Sequence, residues 1–154
     1  MKKKVLWISL LVMCLFFIGC SNADPVIDSL PAYDSMVFYT CEGIQDHTDY
    51  AKYTFQSITE EQLQASNYFC AAKEENVTEI LQYVDNFESW VEVVGGELKN
   101  YDFNKAIISE GDFFYIDTKD GEPIGQGTYG KFDHYSVYYF HLATQTLYYF
   151  HNNI

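Results

Sequence analysis

The chain contains no arginine, and its nine lysines stand against 22 acidic residues. Nucleic-acid binding depends on lysine and arginine displacing counterions from phosphates, so a formal charge of −13 leaves nucleic acid outside the expected partners. Long apolar runs are also lacking. A membrane-crossing helix needs about 20 apolar residues, and the stretch Val5–Ile18 supplies 14. No G-x-S-x-G, H-E-x-x-H or Walker-type run is present, so a familiar hydrolase or nucleotide enzyme gains no support and no cofactor is expected.

What the N-terminus does have is order. Lys2, Lys3 and Lys4 precede the apolar stretch, and Gly19 and Cys20 close it, the layout of a secretory signal peptide. An ordinary cleavage site carries small residues at −3 and −1, but Phe17 stands at −3. Phe17-Ile18-Gly19-Cys20 instead resembles the bacterial lipobox, with phenylalanine where leucine is usual. The resemblance implies a lipoprotein signal peptide over residues 1–20, cleaved so that lipidated Cys20 becomes the first mature residue. Each buried methylene contributes about 0.8 kcal/mol, so two or three acyl chains hold a protein stably at a membrane. The mature chain would keep six lysines against 22 acidic residues, a charge of −16. An anionic membrane repels such a surface, which makes a covalent anchor on the extracytoplasmic face the natural attachment.

Residues 21–34, with two prolines and little periodicity, read as a flexible tether. Residues 35–154 suit one domain, long enough to bury a core without disulfides. Met36–Cys41 and Tyr50–Ser57 read as an N-terminal β-hairpin, the second strand placing Ala51, Tyr53 and Phe55 on one face. Glu42–Asp49 reads as its loop. Thr59 followed by Gln62 marks the start of a short helix ending near Asn67, with Ile58 stapled to Leu63. From Asn76, with Glu79 three residues on, Val77, Ile80, Leu81, Val84, Phe87, Val91 and Val94 recur at helical spacing up to Gly95-Gly96. Lys105–Ser109, Asp112–Asp117, His134–His141 and Thr146–Asn153 read as an antiparallel meander. The expected class is α+β: an antiparallel meander sheet packed against one main amphipathic helix, with an N-terminal hairpin. Aromatic residues on both sides of these strands predict that the face away from the helix is covered as well, by a partner or by that hairpin.

Several local patterns invite chemistry. Gly125, Gly127 and Gly130 fit G-x-G-x-x-G, but the run lies between turn residues and a strand, not between a strand and a helix, so it reads as a loop. Its tip, Gly125, Gly127, Tyr129 and Gly130, is a candidate ligand loop. Asp117, Asp120 and Glu122 lack the alternating oxygen ligands of a calcium loop and read as a solvated turn. Cys41 and Cys70 allow a disulfide, two buried thiols, or a reactive thiol near Asp46 and His47; together with His47 they match no usual zinc spacing. His134, His141 and His151 converge only if His141 and His151 share a face, which the turn register decides. No metal site is expected.

The remaining feature is aromatic abundance, 14 tyrosines, 12 phenylalanines and two tryptophans. Tyr138, Tyr139, Tyr148 and Tyr149 are candidate interaction residues, since tyrosine anchors interfaces with little entropy lost and stacks on sugars. The stretches Met36–Phe55, Asp85–Glu92, Tyr101–Thr118 and Tyr138–Ile154 are similar to a set of small, acidic, tyrosine-rich proteins of low-GC Gram-positive bacteria. That resemblance implies a shared fold and a bacterial source, and carries over no functional residue. The expected function is a lipid-anchored, non-enzymatic interaction module that binds a protein through an aromatic sheet face. A binder of a small ligand, sugar or peptide, is the alternative, and an enzyme using Cys41 or the histidines comes third.

Overall fold

The computed structural model describes residues 24–42, 47–94 and 101–154. Strands β1 (Ser35–Glu42), β2 (His47–Thr54), β3 (Cys70–Ala71), β4 (Phe113–Thr118), β7 (His134–His141) and β8 (Thr146–Asn153) form one antiparallel sheet in the order β1-β2-β8-β7-β4-β3. β5 (Pro123–Ile124) and β6 (Gly127–Thr128) make a separate small hairpin. The helices are α1 (Pro25–Asp28), α2 (Glu60–Ala65) and α3 (Glu74–Val94). The fold is α+β. Among the described residues no helix is long and apolar enough to cross a membrane.

The meander is shorter than expected, β4-β7-β8. Lys105–Ile107 is a 3₁₀ turn capped by Asn104, and Ile108 leaves it to enter the core. The N-terminal hairpin β1–β2 does not cover the sheet; it extends it, β2 pairing with β8.

One sheet face carries α3. Its stripe Ile80, Val84 and Phe87 is fully buried against Tyr50, Tyr135, Val137, Tyr139 and Phe150. Each such side chain contributes about 1.5–3 kcal/mol on burial. The helix begins two residues before the expected start, and Asn76 accepts from the Lys73 N–H instead of capping from its own position. Gly95-Gly96 lies outside the described residues. α2 is as the sequence predicts, with Thr59 and Gln62 closing a capping box and Asn67 leaving in the left-handed conformation.

The opposite face is covered from the N-terminal side. Val26, Ile27 and Leu30, expected in the tether, are buried with Ile58, Leu63, Phe69, Phe113, Phe140 and Leu147. Asp24 caps α1 through the Val26 and Ile27 N–H groups, with Pro25 at the first helical position, where its missing N–H costs nothing.

The tyrosines in this core are tied down by acids. Tyr50 donates to Asp102 at 2.8 Å, Tyr101 to Glu88 at 3.1 Å and Tyr138 to Asp24 at 2.9 Å; Tyr139 donates to Asp112. A buried phenol needs a partner for its hydroxyl, and here carboxylates provide it. Burial first raises the pKa values of all four phenols; these carboxylates add to it, and for Tyr138 so does Tyr149 ahead of Asp24.

Candidate functional site

In an antiparallel sheet, residues directly opposite one another point to the same side, and the next row on that side lies two positions along. The face opposite α3 therefore reads as parallel rows. Met36, Tyr53, Leu147, Phe140 and Phe113 form an apolar row, and Phe38, Ala51, Tyr149, Tyr138 and Tyr115 an aromatic one. Thr40, Asp49, His151, Ser136 and Asp117 make the third row, which is wholly polar. The last holds His47, Asn153 and His134. Along the strands the surface passes from hydrocarbon, through phenols, to titratable groups.

A cavity of about 530 Å³ opens where the aromatic and polar rows meet. Six aromatic side chains line it: Phe38, Tyr53, Tyr68, Tyr115, Tyr138 and Tyr149. Among the described residues Asp24, Asp49 and Asp117 are its charged members, and none of those lining it is basic. Asp24 is committed to the α1 cap and to Tyr138. Burial pushes Asp49 up, against the opposing pull of Thr40 and His47. Burial also pushes the Tyr53 phenol up to about 12. The volume falls within the range of small-molecule sites, about 300–1,000 Å³.

Beyond Asp49 the polar rows are wired together. His151 Nδ1 lies 2.9 Å from Ser136 Oγ, and its Nε2 lies 2.9 Å from Nε2 of His47. Asn153 bridges His47 Nδ1, at 3.3 Å, and His134 Nδ1, at 2.8 Å. Asp49 Oδ2 is 3.9 Å from His47 Nε2. Burial, then the imidazoles of His47 and His134, draws His151 down to about 4, so it is neutral at ordinary pH. Tyr149, on the cavity wall, lies parallel to the His151 ring at a centroid distance of 6.2 Å. The ligand atoms of His47, Asp49 and His151 all lie within 4.8 Å of one another.

The residues singled out from sequence are placed differently from one another. Tyr138 and Tyr149 belong to this face and line the cavity; Tyr139 and Tyr148 point to the α3 face. Alternation splits the four between the two faces, as the two-sided strand pattern implies, and Tyr138 and Tyr139 are buried. Cys41 and Cys70 are not joined to each other. They lie on the two edge strands, roughly 24 Å apart at about 4.8 Å per strand, and a disulfide needs Cα atoms within about 7 Å. Gly125 and Gly127 belong to the β5–β6 hairpin, whose turn uses Gly125 at φ +55°, and neither they, Tyr129 nor Gly130 line the cavity. His141 points to the α3 side and contacts Thr144, so it does not meet His151. Cys20 and Asp46 lie outside the described residues.

His47 and Asp49 were hidden by the strand boundary. Apolar alternation begins at Tyr50, yet β2 starts at His47, held by β1 on one side and β8 on the other. The H-x-D spacing immediately before the alternating run is the one signal that reveals them: on a strand, residues two apart share a face.

The chain matches no protein-family model, no curated protein and no solved structure.

Proposed function

We propose that the protein is a lipid-anchored binding protein of the cell envelope whose cavity takes a small organic cation, such as an amine or the amino group of a peptide. The observation that carries this reading is the lining, which among the described residues has six aromatic rings, three aspartates and no basic side chain. Tyrosine faces attract ammonium groups, and carboxylates in a partly desolvated wall supply the countercharge. The strongly acidic chain adds long-range attraction for cations. A thermal-shift panel of amines, basic dipeptides and neutral sugars tests it, since a ligand selective for the folded state raises the melting temperature. Stabilisation by the cationic members supports the reading, and stabilisation by sugars alone contradicts it.

Anchoring at Cys20 gives this cavity a setting. Asp24 on the cavity wall stands four positions after Cys20, a reach of at most about 14 Å. Such a tether would hold the mouth close to the membrane, and the ligand would be met at that surface.

A second reading, addition of a partner peptide to strand β1, is favoured by one observation. Among the described residues β1 is an edge strand, and it exposes Met36, Val37 and Phe38 at 47, 39 and 47%. Exposed apolar edges are templates for strand addition. Capture of an envelope protein by the wild-type chain, lost on Met36→Lys and Val37→Lys, supports it; capture unchanged by both contradicts it.

A further inference from the structure

We propose that His47, Asp49 and His151 bind one divalent transition-metal ion of the zinc class, beside the cavity. His47 and Asp49 sit two apart on β2 and so share a face, and His151 stands directly opposite Asp49 on β8. This is a two-histidine, one-carboxylate set, and imidazole with carboxylate suits zinc and its first-row neighbours.

The spacing fits a shared ion. Two nitrogens each about 2.1 Å from one metal lie roughly 3.0–3.4 Å apart for right-angled to tetrahedral geometry. The Nε2 atoms of His47 and His151 are 2.9 Å apart. Asp49 Oδ2, at 3.9 Å from His47 Nε2, closes on the ion with a small side-chain rotation.

The surroundings of the three residues point the same way. Asp49 is 9% exposed, and among the described residues its buried Oδ1 has no hydrogen-bond partner. Among the described residues no lysine lines the cavity beside it, and a buried carboxylate calls for a cation. Both histidines have their far ring nitrogens engaged, His151 by Ser136 and His47 by Asn153, the outer hydrogen bonds that orient metal-ligating imidazoles. With the Asn153 amide nitrogen toward His47 Nδ1, His47 carries its proton on Nε2 and gives it to His151. Turning the Asn153 amide over lets its oxygen accept from a protonated Nδ1, which frees both Nε2 lone pairs for the ion. The His47 side chain is 38% exposed, providing an entrance. Three protein ligands leave at least one coordination position for water or for a donor atom of a molecule in the cavity.

The test uses the full chain in detergent, stripped with chelator and titrated with Co²⁺ and, in parallel, with Zn²⁺. One Co²⁺ per chain is expected, with a visible ligand-field spectrum and no thiolate charge-transfer band, which separates this site from Cys41 and Cys70. His47→Ala and Asp49→Asn each weaken binding at least tenfold, whereas His141→Ala leaves it unchanged. Because His151 is buried, His151→Asn is scored only with a circular dichroism spectrum, and the half-exposed His47 provides the variant that keeps the fold. A chain that binds no Co²⁺ at 100-fold molar excess overturns the proposal, as does binding that survives both His47→Ala and Asp49→Asn or that shows a thiolate band. Amine binding measured in excess chelator reports on the cavity alone, so the two readings fail separately.

Discussion

Asp24 and Tyr138 are 114 positions apart in the chain and 2.9 Å apart in space. One carboxylate caps α1 with one oxygen and accepts the Tyr138 phenol with the other, so the segment before β1 is fastened to the centre of the sheet. That contact closes one wall of the cavity.

Asp24→Ala removes both the cap and the acceptor. A lost cap costs about 1 kcal/mol and an abandoned buried hydroxyl about 1–3 kcal/mol. Urea denaturation should show a combined loss of about 2–4 kcal/mol, and Tyr138→Phe, which leaves the cap in place, a smaller one. Equal stability of Asp24→Ala and wild type would mean that residues 24–30 do not pack as described.

Asp112 is the corresponding anchor on the α3 face. It is 5% exposed and accepts from Leu142 N, Ser109 Oγ and Tyr139. Asp112→Ala leaves several buried donors unsatisfied and should cost about 3 kcal/mol or more, against about 1–2 kcal/mol for Tyr139→Phe. Thermal melts of the two variants check the order, and a reversed order would contradict the network.

Alkali should unfold the domain cooperatively. The ordinary phenol pKa is about 10, and burial lifts Tyr53 to about 12 and Tyr50, Tyr101, Tyr138 and Tyr139 higher still. Above pH 10 the unfolded chain therefore holds fewer protons than the folded one, and stability falls as pH rises. Below pH 10 this contribution is intact. Phenolate absorbance from these tyrosines should appear together with loss of the circular dichroism signal; full phenolate absorbance from a still-folded chain would contradict their burial.

On the proposed lipid anchor, membrane attachment would rest on one atom, the Cys20 sulfur. Cys20→Ser should move the protein from the membrane fraction to the soluble one, and mass spectrometry of the wild-type N-terminal peptide should show the acyl chains. A Cys20→Ser protein that stays with the membrane would defeat the anchor.

The fold was legible wherever side chains alternate or recur by burial. The α3 stripe and the β7–β8 hairpin follow from apolar spacing, and the start of α2 from the polar pair Thr59 and Gln62 three residues apart. Legibility ended where an element is held by its neighbours instead. His47, Thr48 and Asp49 look like a loop because all three are polar, and only the ladders to β1 and β8 make them strand. Lys105–Ser109 shows the reverse error: its isoleucines satisfy a strand pattern, while Asn104 caps a 3₁₀ turn there. Residues 24–30 offered Asp-Pro, a helix start, followed by too few apolar positions to show a period. The cavity was not legible, because it arises from strand register, which a one-residue slip would invert.

The most direct measurement is calorimetric titration of the full chain, in chelator, with choline and with its neutral isostere 3,3-dimethylbutanol. The two share shape and differ in charge. Choline should bind and the isostere should not, and Tyr149→Ala and Asp117→Asn should each weaken choline binding. Equal binding of both, or binding of the isostere alone, would contradict a cavity built for a cation.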